Sequence, residues 1–209
     1  ASTVITAREF QNRSRLLIYP LILFVMAETI IQVALPELHV TWLCVTLLSV
    51  LYFIYCSEMW NQLDALTGLL NQNSYLKQTG GVRCKGGVLV VFDVDDFKQI
   101  NDRYGHIQGD LCLAGIAECI KKSYANFGYC YRIGGDEFCV LLKNGGNEGR
   151  CKQEFLQRLQ EKRGEIAFLP TVSYGSAPFS GEDIVKVKDR ADQDMYQYKK
   201  ERKNRKRLS

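Results

Sequence analysis

The chain has 209 residues, 46% of them hydrophobic, and a net charge of +4. That length holds one domain plus something smaller. Eight cysteines with no C-x-x-C pair disfavour a zinc site or a disulfide framework and fit buried, reduced thiols.

From Leu16 to Leu76 there is no Lys or Arg. Two apolar stretches lie there, Leu16–Leu35 and Leu38–Cys56. Each holds about 20 residues, which at ~1.5 Å per residue crosses a hydrocarbon core of roughly 30 Å. The expectation is a transmembrane helical hairpin over 16–56, closed by Pro36-Glu37. A buried helical hairpin of a soluble protein is the competing reading. Arg8, Arg13 and Arg15 precede the first stretch, so the positive-inside rule puts residues 1–15 and everything after Cys56 in the cytoplasm. A signal peptide is disfavoured by the length of the apolar run and the lack of an A-x-A site. Glu28 falls inside the first stretch, where a carboxylate is costly unless neutral, near an end or facing protein. With an initial Ala instead of Met, this suggests a C-terminal piece of a larger membrane protein.

Residues 57–63 make a helical linker of roughly 10 Å, and a domain with a basic tail occupies 64–209. Asp64-Ala65-Leu66-Thr67-Gly68 reads as a cap and turn into a short helix. Glycine pairs at 80–81 and 86–87 bound a loop. Val88–Phe92 is a continuous apolar run, the pattern of a strand buried on both faces. It ends in Asp93-Val94-Asp95-Asp96. Helical periodicity covers Leu111–Tyr124. The apolar runs 129–133 and 138–142 flank Gly134-Gly135-Asp136-Glu137, predicting a β-hairpin with carboxylates at its tip. A polar helix follows over Glu148–Lys162, a strand over Pro170–Ala177, and a last helix within Gly181–Lys200. Without regular βαβ alternation the fold class is α+β, with a mostly antiparallel sheet.

An ordinary Gly-rich turn with two solvated acids is the bland reading of the hairpin. Asp93 changes it, because a strand end is where a rigid scaffold presents functional groups. If the two segments are sheet neighbours, their acids repel unless a hard cation sits between them. Mg²⁺ takes one or two carboxylates and completes its shell with phosphates, which points to a nucleoside triphosphate. Lys98 can neutralise phosphate. Asn101 and Asp110 can read a base edge, Asp110 being an acceptor suited to the N1–H and amino group of guanine.

These segments resemble the GGDEF domain of diguanylate cyclases. The blocks are D-A-L-T-G-L-L-N at 64–71, D-V-D-D-F-K at 93–98, N-D-R-Y-G-H-I-Q-G-D at 101–110, R-I-G-G-D-E-F at 132–138, T-V-S-Y-G at 171–175 and A-D-x-D-M-Y-x-x-K at 191–199. The resemblance implies a fold similar to the polymerase palm and adenylyl cyclases, one GTP per domain, and a homodimer that joins two GTP into cyclic di-GMP. It implies Mg²⁺ or Mn²⁺ held by Asp93, the carbonyl of Val94 and Asp136. Asp136, beside Glu137, would accept the 3′-hydroxyl proton, the two roles being undivided. Phe97 (through its backbone), Lys98, Lys199 and Lys203 would hold phosphates. Asn101 and Asp110 would read guanine, with His106 lining the site. Asp95 reads as a structural cap, and His106 and Lys199 each have a plain alternative, a structural turn and a solvated charge run. The expected setting is the bacterial inner membrane, multi-pass, with the domain cytoplasmic.

The departures concern regulation and phosphate binding. Gln72 stands where the family usually has Arg. Arg202-Lys203-Asn204-Arg205 stands where G-R-N-R is usual, so Lys203 keeps a charge but loses a bidentate fork. The family's product-inhibition motif R-x-x-D is replaced by Ala125-Asn126-Phe127-Gly128, so no inhibitory product site is expected. Seven basic residues lie within Lys199–Arg207. They read as a solvated helix end or a contact with anionic lipid, and without interleaved aromatics they do not indicate nucleic acid. The competing function is a catalytically inactive GGDEF module that binds GTP or a partner.

Overall fold

The computed structural model describes residues 23, 26–27, 29–34, 41–60, 62–80, 86–143 and 145–208. The chain divides into two compact units, Ala1–Asn61 and Gln62–Ser209. The expected segment 1–15, Glu28 and the Pro36-Glu37 turn lie outside the described residues.

In the first unit residues 29–34 are helical, and helix α1 spans Thr41–Trp60. Among the described residues no helix is long and apolar enough to cross a membrane. This corrects the expected transmembrane hairpin. The described helix runs from Thr41, within the stretch that the sequence marked from Leu38. Its apolar part, Thr41–Cys56, rises only about 24 Å against a hydrocarbon core of about 30 Å. The apolar side chains of α1 are nevertheless open. Val50, Leu51, Phe53 and Ile54 are 49–71% exposed.

The second unit is built on β1 (Gly87–Val94), β2 (Gly128–Arg132), β3 (Glu137–Leu142) and β4 (Val172–Phe179). They form one antiparallel sheet in the order β2-β3-β1-β4. Its helices are α2 (Gln72–Thr79), α3 (Phe97–Tyr104), α4 (His106–Tyr124), α5 (Glu148–Glu165) and α6 (Ile184–Leu208). The period of two along β1 divides its side chains between two cores. Val88, Val90, Phe92 and Val94 pack against α4 and α5 through Leu113, Ile116, Ile120 and Phe155. Leu89 and Val91 pack with Val187 and Ala191 of α6 on the other face. That explains why β1 reads as an unbroken apolar run. The aromatic centre is edge-to-face, with the Phe92 ring 5.6 Å from Tyr124 and 5.1 Å from Phe155.

One contact fixes the height of α6 on the sheet. A Cβ at Gly175 of β4 would run into the backbone of Ala191 and Met195. Strand and helix therefore meet backbone to backbone, which only glycine permits.

Candidate active site

The site forms where β1 and β3 end together. Their register pairs Asp93 with Glu137, and the Val94 amide donates to the Asp136 carbonyl at 3.2 Å. The acids that the sequence separates by some forty residues are thus strand neighbours. The hairpin closes tightly, the amides of Ile133 and Gly134 both donating to the Glu137 carbonyl at 3.0 and 3.3 Å. Glu137 is exposed, Asp136 and Asp93 half-buried.

Arg132 braces the tip from behind. Its guanidinium donates to the Gly135 carbonyl at 2.8 Å and to both Asp64 oxygens at 3.0 and 3.2 Å. Asp64 also accepts from the amide and hydroxyl of Thr67. Burial alone would raise its pKa, but the bonds from Thr67 and Arg132 outweigh burial and hold the carboxyl below its ordinary value. Two backbone bonds stitch this turn to β2, from the Leu70 amide to the Cys130 carbonyl and from the Arg132 amide to the Leu70 carbonyl. The D-A-L-T-G block is therefore a strut for the hairpin.

On the other side of β1, α6 delivers two cations. Lys199 Nζ lies 2.6 Å from Asp93 Oδ2 and 3.3 Å from Asp95 Oδ1. Arg202 donates to Asp95 Oδ2 at 2.6 Å and also to the Thr171 hydroxyl and the Val172 carbonyl. Asp95, 5% exposed, further accepts from the hydroxyls of Ser173 and Thr171 at 2.7 and 2.9 Å. Burial would raise its pKa, and the bonds from Ser173, Arg202 and Thr171 bring it below the ordinary value instead. Asp95 is thus structural, but not a helix cap, since Asp96 holds that position. Burial opposes the charge on Lys199, yet Asp93 and Asp95 outweigh it and hold the ammonium's pKa above its usual value. Lys199 is therefore no solvated tail residue.

At the third corner β1 turns into α3 through Asp96, at φ 55° the one non-glycine left-handed residue among those described. No side chain caps α3 and its first turn holds no acid. Such an N-terminus attracts anions. Half-buried Phe97 opens the helix and exposed Lys98 follows. Asn101 meets Gly109 of α4 so closely that a Cβ there would clash with Asn101 Oδ1. That oxygen is buried against Gly109 and has no hydrogen-bond partner. Exposed Asp110 follows Gly109, and exposed His106 is the first residue of α4. The α6 helix continues through Lys203 to Leu208, but the side chain of Lys203 is outside the described set. The turn over 125–127 carries no ionisable side chain.

The donors at this edge are hard oxygens, which suit a divalent cation, and the Lys199 ammonium is held against one of them, Asp93. Among the described residues no group of three or more His, Cys, Asp or Glu is gathered for a metal. A cation here would use few protein ligands and rely on other oxygens, as Mg²⁺ does. Five residues that hold the site together, Asp64, Arg132, Thr171, Ser173 and Arg202, were not assigned that work from the sequence. The available signals were Arg132 just before the tip and the same-face pair Thr171 and Ser173.

A family model described as "Diguanylate cyclase, GGDEF domain" matches residues 61–205. Diguanylate cyclase DgcS of Shewanella oneidensis is 32% identical over 154 residues, covering 70% of this chain and 52% of that protein. Probable diguanylate cyclase DgcJ of Escherichia coli is 30% identical over 151 residues, covering 68% of this chain and 30% of that protein. The chain thus spans about half or less of these relatives' length. Among solved structures, the GGDEF domain of DgcB from Caulobacter crescentus, in complex with c-di-GMP, matches with TM-score 0.52 and 27% identity, covering 66% of this chain and 90% of that one. Diguanylate cyclase SiaD of Pseudomonas aeruginosa, in complex with its activator SiaC, shares the fold at TM-score 0.59 and 22% identity, over 95% of this chain and 79% of that one.

Proposed function

Because the chain belongs to the GGDEF-domain diguanylate cyclase family, we propose that two copies of it condense two GTP molecules into cyclic di-GMP. The observation that carries this reading is the Asp93–Glu137 pairing at the sheet edge, with Lys199 against Asp93. In the proposed reaction each 3′-oxygen bonds to the α-phosphorus of the opposite GTP. The bond from that phosphorus to the bridging oxygen breaks, and pyrophosphate leaves. The 3′-hydroxyl proton passes to Asp136 or Glu137. Asp93, the Val94 carbonyl and Asp136 would hold Mg²⁺ or Mn²⁺, which when bound supplies charge neutralisation at the oxygens of the transferring phosphoryl group. The α3 N-terminus with Phe97 and Lys98, together with Lys199 and Lys203, receives phosphates. Asn101 and Asp110 receive guanine, with His106 beside them. Holding two bound nucleotides in line is an entropic contribution of up to ~10 kcal/mol, which makes the homodimer a requirement.

The proposal includes attachment to the bacterial inner membrane, with the second unit in the cytoplasm. Its support is the absence of Lys and Arg from Leu16 to Leu76 and the open apolar side chains of α1. Fractionation of the full-length protein tests it, and recovery without detergent in the soluble fraction counts against it.

Purified protein with GTP and Mg²⁺ is expected to yield cyclic di-GMP and pyrophosphate. No product under forced dimerisation, with GTP still bound, would replace the enzyme by a nucleotide-binding module.

A further inference from the structure

We infer that Lys199 competes with a divalent cation for the Asp93 carboxylate and is exchanged on metal loading from that carboxylate to phosphate. This rests on the reading of Asp93 as a metal ligand. Two acids, Asp93 and Asp95, stand at the end of β1, and two cations, Lys199 and Arg202, reach them from α6. Each of these two acids has a cation against it, while Asp136 and Glu137 stand beside them.

The two cations are not equivalent. Arg202 is committed to Asp95 and is also held by Thr171 and the Val172 carbonyl. Asp95 in turn is fixed by the Ser173 hydroxyl and by the hydrogen bond its backbone N–H donates to the Thr171 carbonyl. Lys199 has no such scaffold. It is one ammonium on a flexible stem, a third exposed, shared between Asp93 and Asp95.

A divalent cation arriving at Asp93 meets the ammonium already there. Two positive centres on one carboxylate repel, so the weaker-held one leaves. The released ammonium then finds a better partner in the triphosphate entering with the metal. Arg202 keeps the helix docked while Lys199 swings, so the exchange needs a side-chain rotation and no movement of α6. The ammonium makes Asp93 a weaker ligand for a divalent cation that arrives without nucleotide. It also couples metal binding to nucleotide binding through one side chain.

The full chain tests this without turnover. Mn²⁺ is titrated into nucleotide-free protein and free Mn²⁺ is read by electron paramagnetic resonance. Lys199→Met keeps most of the stem and removes the charge. It should bind Mn²⁺ about tenfold more tightly than the unsubstituted protein. With Mg²⁺ saturating, the same variant should bind a GTP analogue with a non-cleavable α,β-methylene bridge about tenfold more weakly. Equal or weaker Mn²⁺ binding by the variant overturns the exchange. A second measurement needs no variant. The Nζ resonance of Lys199 in ¹⁵N-lysine-labelled protein should shift when Mg²⁺ alone is added, and an unmoved resonance at saturating Mg²⁺ overturns the proposal equally. If neither form binds Mn²⁺, both the exchange and the metal assignment fall. If Mn²⁺ binding and the Nζ shift behave as expected but no cyclic di-GMP forms, the catalytic reading alone falls.

Discussion

At the strand edge of the site the charges are already engaged. Asp64 holds Arg132, Arg132 holds the Gly135 carbonyl, Lys199 holds Asp93, and Arg202 holds Asp95. At the α3–α4 corner, Lys98, His106 and Asp110 stand exposed, and the buried Asn101 oxygen has no partner. On the proposed reading, the fixed ions of the edge, Arg132 and Arg202, frame the place where charge develops during the reaction, where fixed dipoles and ions count most. At the corner the exposed groups, Lys98, His106 and Asp110, face solvent. Substitutions at the edge should therefore damage chemistry or stability, and those at the corner should damage recognition.

Asp93→Asn gives the sharpest test. Cyclic di-GMP formation should fall roughly 10³-fold or more, while the circular dichroism spectrum stays native. Retained turnover would remove Asp93 from the edge's chemistry. Asp95→Asn comes next, and it should be a stability variant. It leaves Arg202 without its buried partner, at a cost of about 3 kcal/mol in urea denaturation, toward the low end for a broken buried pair because Arg202 keeps some exposure.

Acid gives the same contrast. Asp64 and Asp95 both have pKa values lowered by folding. A lowered folded pKa contributes stability that is fully present above the unfolded value, near pH 4. That stability is lost as the pH falls through the folded value. Urea midpoints should therefore hold above about pH 5 and drop below pH 4. The drop should be shallower in Asp95→Asn, and an unchanged slope would mean the edge is not held by these carboxylates.

The corner predicts smaller and different losses. Asn101→Ala should raise the KM for GTP by about 10–100-fold and weaken discrimination against ATP, with thermal stability unchanged or slightly raised. Lost stability with unchanged KM would make Asn101 a packing residue. Lys98→Ala should raise KM only a few-fold, an effect that shrinks as salt rises from ~0.05 to 0.5 M, as expected of an exposed charge.

Much of this was readable from the chain. The strand at Val88–Phe92, the hairpin and the acids at its tip have local signatures, so β1 and β3 could be drawn and set side by side. The braces could not. Asp64 and Arg132 are 68 residues apart and Asp95 and Arg202 are 107 apart, and no periodicity links such pairs. The α4 helix starts at His106, before the periodic run that begins at Leu111. Gly109 weakens its helical pattern, and the close approach of Asn101 is the reason a glycine stands there. The α6 helix runs on to Leu208 because the basic run that ends it forms more turns of helix, anchored by Arg202. The apolar stretches before residue 57 suggested membrane spans by length alone, and the described part of α1 from Thr41 to Cys56 is shorter than that count.

The backbone contact at Gly175 has a consequence for tolerance to insertion and deletion. Met195, which rests on that glycine, and Lys199, which reaches Asp93, are one turn apart on α6. Adding or removing one residue between them would rotate the ammonium by about 100° and shift it by ~1.5 Å. A frame that is fixed at Gly175 and again at Arg202 leaves that turn no freedom of length. Descendants of this sequence can vary the type of residue at the exposed positions 196 and 197, but not the number between Met195 and Lys199.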